Sequence, residues 1–237
     1  MKLLLINSNP DSSFAAFKSD EEQIISYASD FLVQEDGVKK LQNPDKLIFC
    51  LEQITQLCRK KNIELEDIDA VSVITGPGSF TGIRVGLALA KGFADALGKK
   101  IIPINNFELT LNRLVGVSPD VEYNVLLPAK LPEYYFSIIK NFDKINEGCI
   151  KLDELSSIIT KKTTIVSDFP RESIKNLIYF DYINVKNARN ERSRIICPVF
   201  DSMISLSLKY FNMGKMYESE KIKPLYLKEF SFKVPTR

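Results

Sequence analysis

The sequence predicts an α/β protein of two lobes, each built on a mixed sheet. Strands and helices alternate along the first hundred residues, and a similar order of strands, helix, strand and helix recurs in the second half. Within the first hundred residues, Val71 to Leu97 has the pattern of a strand, a glycine turn and a helix. With 237 residues, of which 45% are hydrophobic, the chain is long enough for one large domain or two lobes.

Three strands and a helix are predicted before this central stretch. The strands are the apolar run Lys2 to Ile6, the extended run Ser13 to Phe17 and the run Ile24 to Ser29. A helix is predicted to start at Asn43, where an asparagine cap, a proline at the first helical position and an acid in the first turn coincide. Its apolar residues recur at three and four positions through Lys61.

The central stretch changes from strand to helix at a sharp turn. Val71 to Ile74 is β-branched and apolar, as in a buried parallel strand. Gly76-Pro77-Gly78 then interrupts the extended chain, and the Ser79 hydroxyl is expected to cap the helix from Phe80 to Leu97.

This central helix is apolar over more of its circumference than one sheet can cover. One apolar side holds Ile83, Leu87, Ala90, Ala94 and Leu97, and another holds Val85, Leu89 and Ala96. Its charged residues after Thr81 are Arg84, Lys91 and Asp95, which share a narrow stripe. We expect a partner helix to cover one apolar side, and the alternative is a helix wholly buried in its own domain.

The two long helices are expected to form one surface that pairs with another such surface as a helical bundle. Small residues spaced four apart would let the backbones approach closely, and two cations would lie at the rim. The expected interface residues are Leu47, Leu51, Ile54, Gly82, Ile83, Arg84, Gly86, Leu87, Ala90 and Lys91.

The second half repeats the pattern after a strand at Lys99 to Ile104 and a helix at Asn105 to Leu114. We expect the first lobe to end near Asn105 to Asp120, with Val115 to Tyr123 as the expected lobe boundary segment, and we take the lobes as residues 1–110 and 111–237. The remaining predicted strands are Val125 to Pro128, Tyr134 to Lys140, Cys149 to Leu152 and Thr163 to Val166, with a short helix at Asp153 to Ile159. The final helix, from Cys197 to Phe211, is a candidate to return to the first lobe.

Composition excludes several kinds of chemistry. The chain has no histidine, so it has no Ser-His or Cys-His pair and no imidazole metal ligand. The glycine turn lacks the G-K-[ST] and G-x-G-x-x-G patterns of phosphate loops, and the carboxylates are scattered. We therefore expect no catalytic residue, no metal site and no cofactor.

Charge and cysteine content favour a cytoplasmic protein. The 32 basic and 30 acidic residues give a net charge of +2, which does not call for a nucleic-acid partner. The four cysteines contain no C-x-x-C pair, and the N-terminal apolar run is too short for a signal peptide. No run approaches the length of a membrane span, so we expect no membrane contact.

Three motifs resemble the TsaB (YeaZ) family. The run G-P-G-S-F-T-G-I-R-V-G at 76–86, followed by A-K-G at 90–92, closely resembles its signature. The runs A-K-L-P-E-Y-Y-F at 129–136 and P-L-Y-L-K at 224–228 resemble the family's A-R-x-G-E-V-Y and P-x-Y-L-R stretches. The resemblance implies a two-lobed fold of the actin and sugar-kinase type, with an RNase H-like sheet in each lobe.

The resemblance also implies a function in tRNA threonylcarbamoyladenosine synthesis. In that family the chain is a non-catalytic partner that activates a TsaD-like catalytic subunit, which carries the metal-binding histidines. The implied partners are this TsaD-like subunit, a second copy when the chain is alone, and tRNA only through the complex, with a TsaE-like ATPase as a candidate third component.

One departure weakens any role in nucleotide binding. Families of this fold usually begin I-D-T-S, whereas this chain has Ile6-Asn7-Ser8-Asn9, so Asn7 has no charge to help hold a metal-bound phosphate. The alternative function is a nucleotide-using enzyme of the sugar-kinase type, which should supply a phosphate loop and a catalytic aspartate.

Overall fold

Within the residues that it describes, the computed structural model of the chain has two five-stranded sheets and a separate two-stranded hairpin. These residues are 1–8, 13–27, 31–34, 37–40, 43–114, 116–159, 163–167, 181–184 and 199–228. The expected strand end at Ser29, Val115 of the expected lobe boundary and the expected helix start at Cys197 lie outside them.

Twelve strands and four α-helices are present in the described part of the chain. The strands are β1 (Leu3–Asn7), β2 (Phe14–Lys18), β3 (Gln23–Tyr27), β4 (Phe31–Gln34), β5 (Gly37–Lys40), β6 (Ala70–Gly76), β7 (Lys100–Asn105), β8 (Glu122–Pro128), β9 (Glu133–Lys140), β10 (Asp143–Lys151), β11 (Thr163–Ser167) and β12 (Asp181–Asn184). The helices are α1 (Asn43–Lys60), α2 (Phe80–Leu97), α3 (Asn106–Asn112) and α4 (Val199–Asn212). None of the described helices is both long and apolar enough to cross a bilayer.

The first sheet has the strand order β3-β2-β1-β6-β7. Strand β1 pairs antiparallel with β2 and parallel with β6, and β7 adds parallel to β6. All five residues of β1 and all seven of β6 are buried, as expected for strands covered on both faces.

Helices cover both faces of this sheet. Because successive side chains of a strand point to opposite faces, Leu4 of β1 packs in a cluster with residues of α1 and α2. Leu3 and Leu5 pack on the other face in a cluster that includes Phe200 and Met203 of α4. Helices α1 and α2 therefore lie on one face of the first sheet, and α4 lies on the other.

The second sheet repeats the topology of the first. Its order is β10-β9-β8-β11-β12, in which three antiparallel strands are followed by two parallel ones. Helix α3 packs on one of its faces, where Phe107 and Leu111 join a cluster with Tyr123 and Val125. The predicted α/β fold with a mixed sheet in each half of the chain is confirmed.

Some elements differ from the sequence-based expectation. Strand β10 starts at Asp143 instead of Cys149, because its first half is polar and lacks an apolar alternation that would reveal a strand. The short helix expected at Asp153 to Ile159 is a 3₁₀ helix at Leu152–Ser157. The β4–β5 hairpin and β12 were not expected.

Candidate partner-binding site

The turn between β6 and α2 is built as the sequence predicts. Gly76 ends β6 with φ of 116°, in the region that favours glycine. The Ser79 hydroxyl accepts a hydrogen bond from the Gly82 backbone N–H at 3.2 Å and caps α2, which ends before Gly98 at φ 64°. The turn therefore fixes where α2 starts and which face it presents to the sheet.

One apolar side of α2 packs on its own sheet. Ile83, Leu87, Ala90 and Ala94 are each no more than 4% exposed and belong to the cluster shared with β1 and β6. The side chains of Ile83, Leu87 and Ala90, which were expected to contact a partner, are enclosed by their own chain.

Gly82 and Gly86 lie against the end of β1. A Cβ atom on Gly82 would be 2.6 Å from the carbonyl oxygen of Ser8, and one on Gly86 would be 2.5 Å from the Ser8 Oγ. These two glycines, which were expected to face a partner helix, let α2 approach its own strand. A spacing of four shows that small residues share a face but does not show what covers that face.

Helix α1 lies beside α2 on the same cluster. Leu47 and Ile54, which were also expected at the interface, are each 1% exposed and fill the core between α1 and the first sheet. Leu51, 5% exposed, lies at the edge of this core and lines a surface groove. Of the three residues expected on α1, Leu51 is the one that reaches the surface.

The α1–α2 groove is a surface channel of about 300 Å³ between the two helices. It is lined by Ile48, Leu51, Glu52, Thr55, Gln56, Arg59, Leu89 and Phe93. Ile48 is 44% exposed, and Leu89 and Phe93 are partly exposed. The sequence places Leu89 on the second apolar side of α2, but Ile48 and Phe93 were missed. The spacing of Ile48, Leu51 and Thr55 at three and four residues was the signal that could have found the α1 side.

Small residues also lie on the exposed side of α2. Ala88, Gly92 and Ala96 are exposed and spaced four apart, and a Cβ on Gly92 would have no neighbouring atom within 4 Å. Lys91 lies beside them and is partly buried. The stripe of small residues that is accessible to another chain is therefore this one, and not the stripe that contains Gly82 and Gly86.

The N-terminal end of α2 carries a stack of exposed side chains. The Arg84 Cζ atom lies 4.9 Å from the centroid of the Phe80 ring, and that centroid is 5.3 Å from the centroid of the Tyr226 ring. The segment that contains Tyr226 is held against the end of β6, where the Leu225 N–H donates to the Thr75 carbonyl oxygen at 2.8 Å. Phe80 and Tyr226 are 40% and 43% exposed.

A second cavity, of about 170 Å³, lies between α3, the β9–β10 hairpin and α4. Its charged lining residues are Glu108, Lys144 and Lys209. The Tyr210 hydroxyl donates to the Glu108 carboxylate, and burial together with this hydrogen bond raises the pKa of Tyr210. The described residues contain no group of three or more histidine, cysteine or acidic side chains that could hold a metal ion.

Comparison with known proteins finds a matching family model and related sequences. A family model described as "TsaD: tRNA N6-adenosine threonylcarbamoyltransferase" matches residues 50–169, about half of the chain. The tRNA threonylcarbamoyladenosine biosynthesis protein TsaB of Haemophilus influenzae is 31% identical over 87 residues, which cover 37% of this chain and 37% of that protein. A tRNA N6-adenosine threonylcarbamoyltransferase of Clostridium botulinum is 34% identical over 113 residues, which cover 46% of this chain and 33% of that protein. The chain thus matches only about a third of the length of these curated relatives.

Solved structures share the fold over nearly the whole chain. YeaZ from Pseudomonas aeruginosa superposes with a TM-score of 0.68 at 13% identity, over 95% of this chain and 99% of that one. A second Pseudomonas aeruginosa structure, described as similar to peptidase YEAZ, gives a TM-score of 0.69 at 14% identity over 96% and 99% of the two chains. The chain therefore belongs to the family described as "TsaD: tRNA N6-adenosine threonylcarbamoyltransferase", and its fold is that of the two YeaZ-like structures.

Proposed function

We propose that this chain is a non-catalytic subunit in tRNA threonylcarbamoyladenosine modification, which binds and activates a TsaD-like catalytic subunit through the α1–α2 groove. The observation that carries the proposal is the groove itself. Helix α2 already covers its own sheet with Ile83 and Leu87, yet it exposes a second apolar side with Leu89 and Phe93. An apolar surface of this kind favours association with another protein.

The side chains of the groove suit a helix–helix contact. Leu89 and Phe93 are one turn apart on α2, and Ile48 and Leu51 are neighbours across three positions on α1. The exposed Gly92 lets a partner backbone approach α2 without meeting a side chain. A pair of helices from the partner would therefore complete a four-helix arrangement, with Lys91 at the edge of the contact.

The non-catalytic role is supported by the chemistry of the conspicuous residues. Ser79, which occupies the motif at the start of α2, uses its hydroxyl as a helix cap. The sequence contains no histidine that could activate a serine or bind a metal ion. Catalysis is accordingly assigned to the TsaD-like partner, and tRNA reaches this chain through the complex.

The same groove accounts for the behaviour proposed for the isolated chain. When no catalytic subunit is present, a second copy would cover the groove and form a homodimer. The TsaD-like subunit would displace this second copy when it is added. A TsaE-like ATPase would join the assembled pair. A cytoplasmic location agrees with Cys58 and Cys149, which form no disulfide with another residue in the described part of the chain.

We also propose the division into lobes of residues 1–110 and 111–237. The two sheets and their separate clusters support it. Helix α4 lies beyond the boundary in sequence, but it packs on the first sheet through Phe200 and Met203. This packing would tie the end of the chain to the lobe that carries the groove.

Replacing Leu89 with aspartate tests the proposal. The variant places an unpaired charge in the groove, so it should remain folded but lose association with the TsaD-like subunit of the same cell. Co-purification measures the association, and nucleoside mass spectrometry of tRNA measures modification in the reconstituted system. Modification should fall to the level seen without this chain.

The matched control is Ile145→Asp, because Ile145 is 59% exposed on β10 and lies outside the groove. This control should bind and activate normally, and circular dichroism should show that both variants are folded. A folded Leu89→Asp variant that still associates and supports modification would refute the proposed binding surface.

A further inference from the structure

The exposed stack of Phe80, Arg84 and Tyr226, here called the guanidinium stack, is a preorganised feature of the surface. Phe80 and Arg84 lie one turn apart on α2, whereas Tyr226 comes from the segment that follows the 3₁₀ helix at Ser219–Lys221. The Arg84 guanidinium lies over one aromatic ring, which in turn contacts the second ring. Two separate parts of the chain thus hold one arginine side chain in place.

The guanidinium of Arg84 has no carboxylate partner within the described part of the chain, although other exposed cations do. Lys2 pairs with Asp67, Lys61 with Glu22 and Lys228 with Glu133. Arg84 makes a cation–π contact with the Phe80 ring, which leaves guanidinium N–H groups for a further partner. These N–H groups form a planar fork that matches the two oxygens of a carboxylate.

The position of the stack connects it to the α1–α2 groove. Arg84 lies five residues before Leu89 on α2, which is about 7.5 Å along the helix axis at the usual rise per residue. Arg84 and Ala88 are both exposed and lie one turn apart, so the surface is continuous from the stack to the small-residue stripe. A protein that covers Leu89 and Ala88 would also come within reach of Arg84.

We propose that the guanidinium stack is a carboxylate-binding site, and that its ligand is an acidic side chain of the TsaD-like subunit that occupies the groove. This inference rests on the proposed function. Fixing the arginine on the Phe80 ring, which contacts the Tyr226 ring, lowers the entropy lost on binding, and its fork orients the partner. Arg84 is then an anchor that selects the partner, rather than the rim charge expected from the sequence.

The stack supplies a specificity that the groove lacks. An apolar groove accepts a second copy or another apolar helix pair with similar ease, because apolar contact is not directional. A carboxylate at a fixed place favours the one partner that presents it. The competing source of a carboxylate is Asp95 of a second copy, since Asp95 is exposed at the other end of α2. That source would make Arg84 important for self-association instead.

The experiment measures the dissociation constant of the pair formed with the TsaD-like subunit, for the unaltered chain, for Leu89→Asp and for three further variants. Arg84→Ala should weaken binding by about thirtyfold, the level of an interface hot spot. Arg84→Lys keeps the charge but loses the fork, so it should weaken binding by roughly tenfold. The charge-matched control is Lys140→Ala, at an exposed residue on β9, and it should bind like the unaltered chain.

The outcomes separate this inference from the proposed function. Loss of binding with both Leu89→Asp and Arg84→Ala supports the groove and the carboxylate site. Loss with Leu89→Asp alone overturns the carboxylate site and leaves the groove as the binding surface. Equal binding by Arg84→Lys and the unaltered chain would also overturn the site, because charge alone would then suffice. An Arg84→Ala variant that weakens only self-association would show that the carboxylate comes from a second copy. Normal binding by every variant would refute the groove as the binding surface, and with it the carboxylate site that depends on the groove.

Discussion

At the scale of single residues, two glycines of the same helix have opposite surroundings. A Cβ on Gly86 would clash with Ser8, whereas a Cβ on Gly92 would meet no atom within 4 Å. The sequence revealed the spacing of Gly82 and Gly86, but the choice between sheet and partner depended on where β1 ends. That position is a tertiary contact between residues far apart in sequence, and helical periodicity contains no information about it.

The two glycines give a paired prediction for stability. Gly86→Ala should lower the free energy of unfolding by about 1 to 3 kcal/mol, because the added methyl group overpacks the contact with Ser8. Gly92→Ala should raise it by about 0.5 to 1 kcal/mol, since alanine favours an open helical position. Urea unfolding followed by circular dichroism measures both. Equal effects in the two variants would mean that α2 is not seated on the end of β1 as described.

At the scale of elements, strongly patterned segments were predictable and weakly patterned ones were not. The start of α1 agrees with the predicted position at Asn43, and both ends of α2 agree with the predicted cap and turn residues. The start of β10 was missed because the hairpin turn uses Asn141 and Phe142 at positive φ and has no glycine to mark it. Turn signals reveal a hairpin only when its turn uses the common residues.

The candidate site was predictable only in part, for a related reason. The sequence correctly indicates that α2 has two apolar sides and that one of them covers the sheet. It does not say which side, because Ile83 and Leu89 are equally apolar. The register is set by the Ser79 cap and by the contact of Ser8 with the two glycines. Leu51 lines the groove, Arg84 is exposed and Lys91 is partly exposed, so these three remain candidate interface residues.

At the scale of the whole molecule, two sheets of one topology are joined by helices that cross between them. Helix α4 follows the second sheet in sequence but packs on the first, where the Ser207 hydroxyl lies 2.7 Å from the Ser72 hydroxyl of β6. Helix α3 follows the first sheet and packs on the second. The groove lies on the opposite face of the first sheet from α4, so a partner there would not touch these connections.

The nucleotide-using alternative makes a distinct prediction at this scale. A functional nucleotide site should stabilise the chain by about 2.7 kcal/mol when ATP and magnesium are present at a hundred times the dissociation constant. We expect no change in melting temperature for the chain alone, because Asn7 stands where the fold's aspartate would be and is fully buried. A concentration-dependent rise would favour the sugar-kinase type of enzyme.

Hydrogen–deuterium exchange with and without the TsaD-like subunit tests the proposed binding surface most directly. Covering the α1–α2 groove should suppress local opening of both helices, so peptides from Asn43–Lys60 and Phe80–Leu97 should exchange more slowly in the complex. Peptides from the β9–β10 hairpin should exchange at the same rate in both samples. Protection confined to that hairpin or to α4, with α1 and α2 unchanged, would contradict the account.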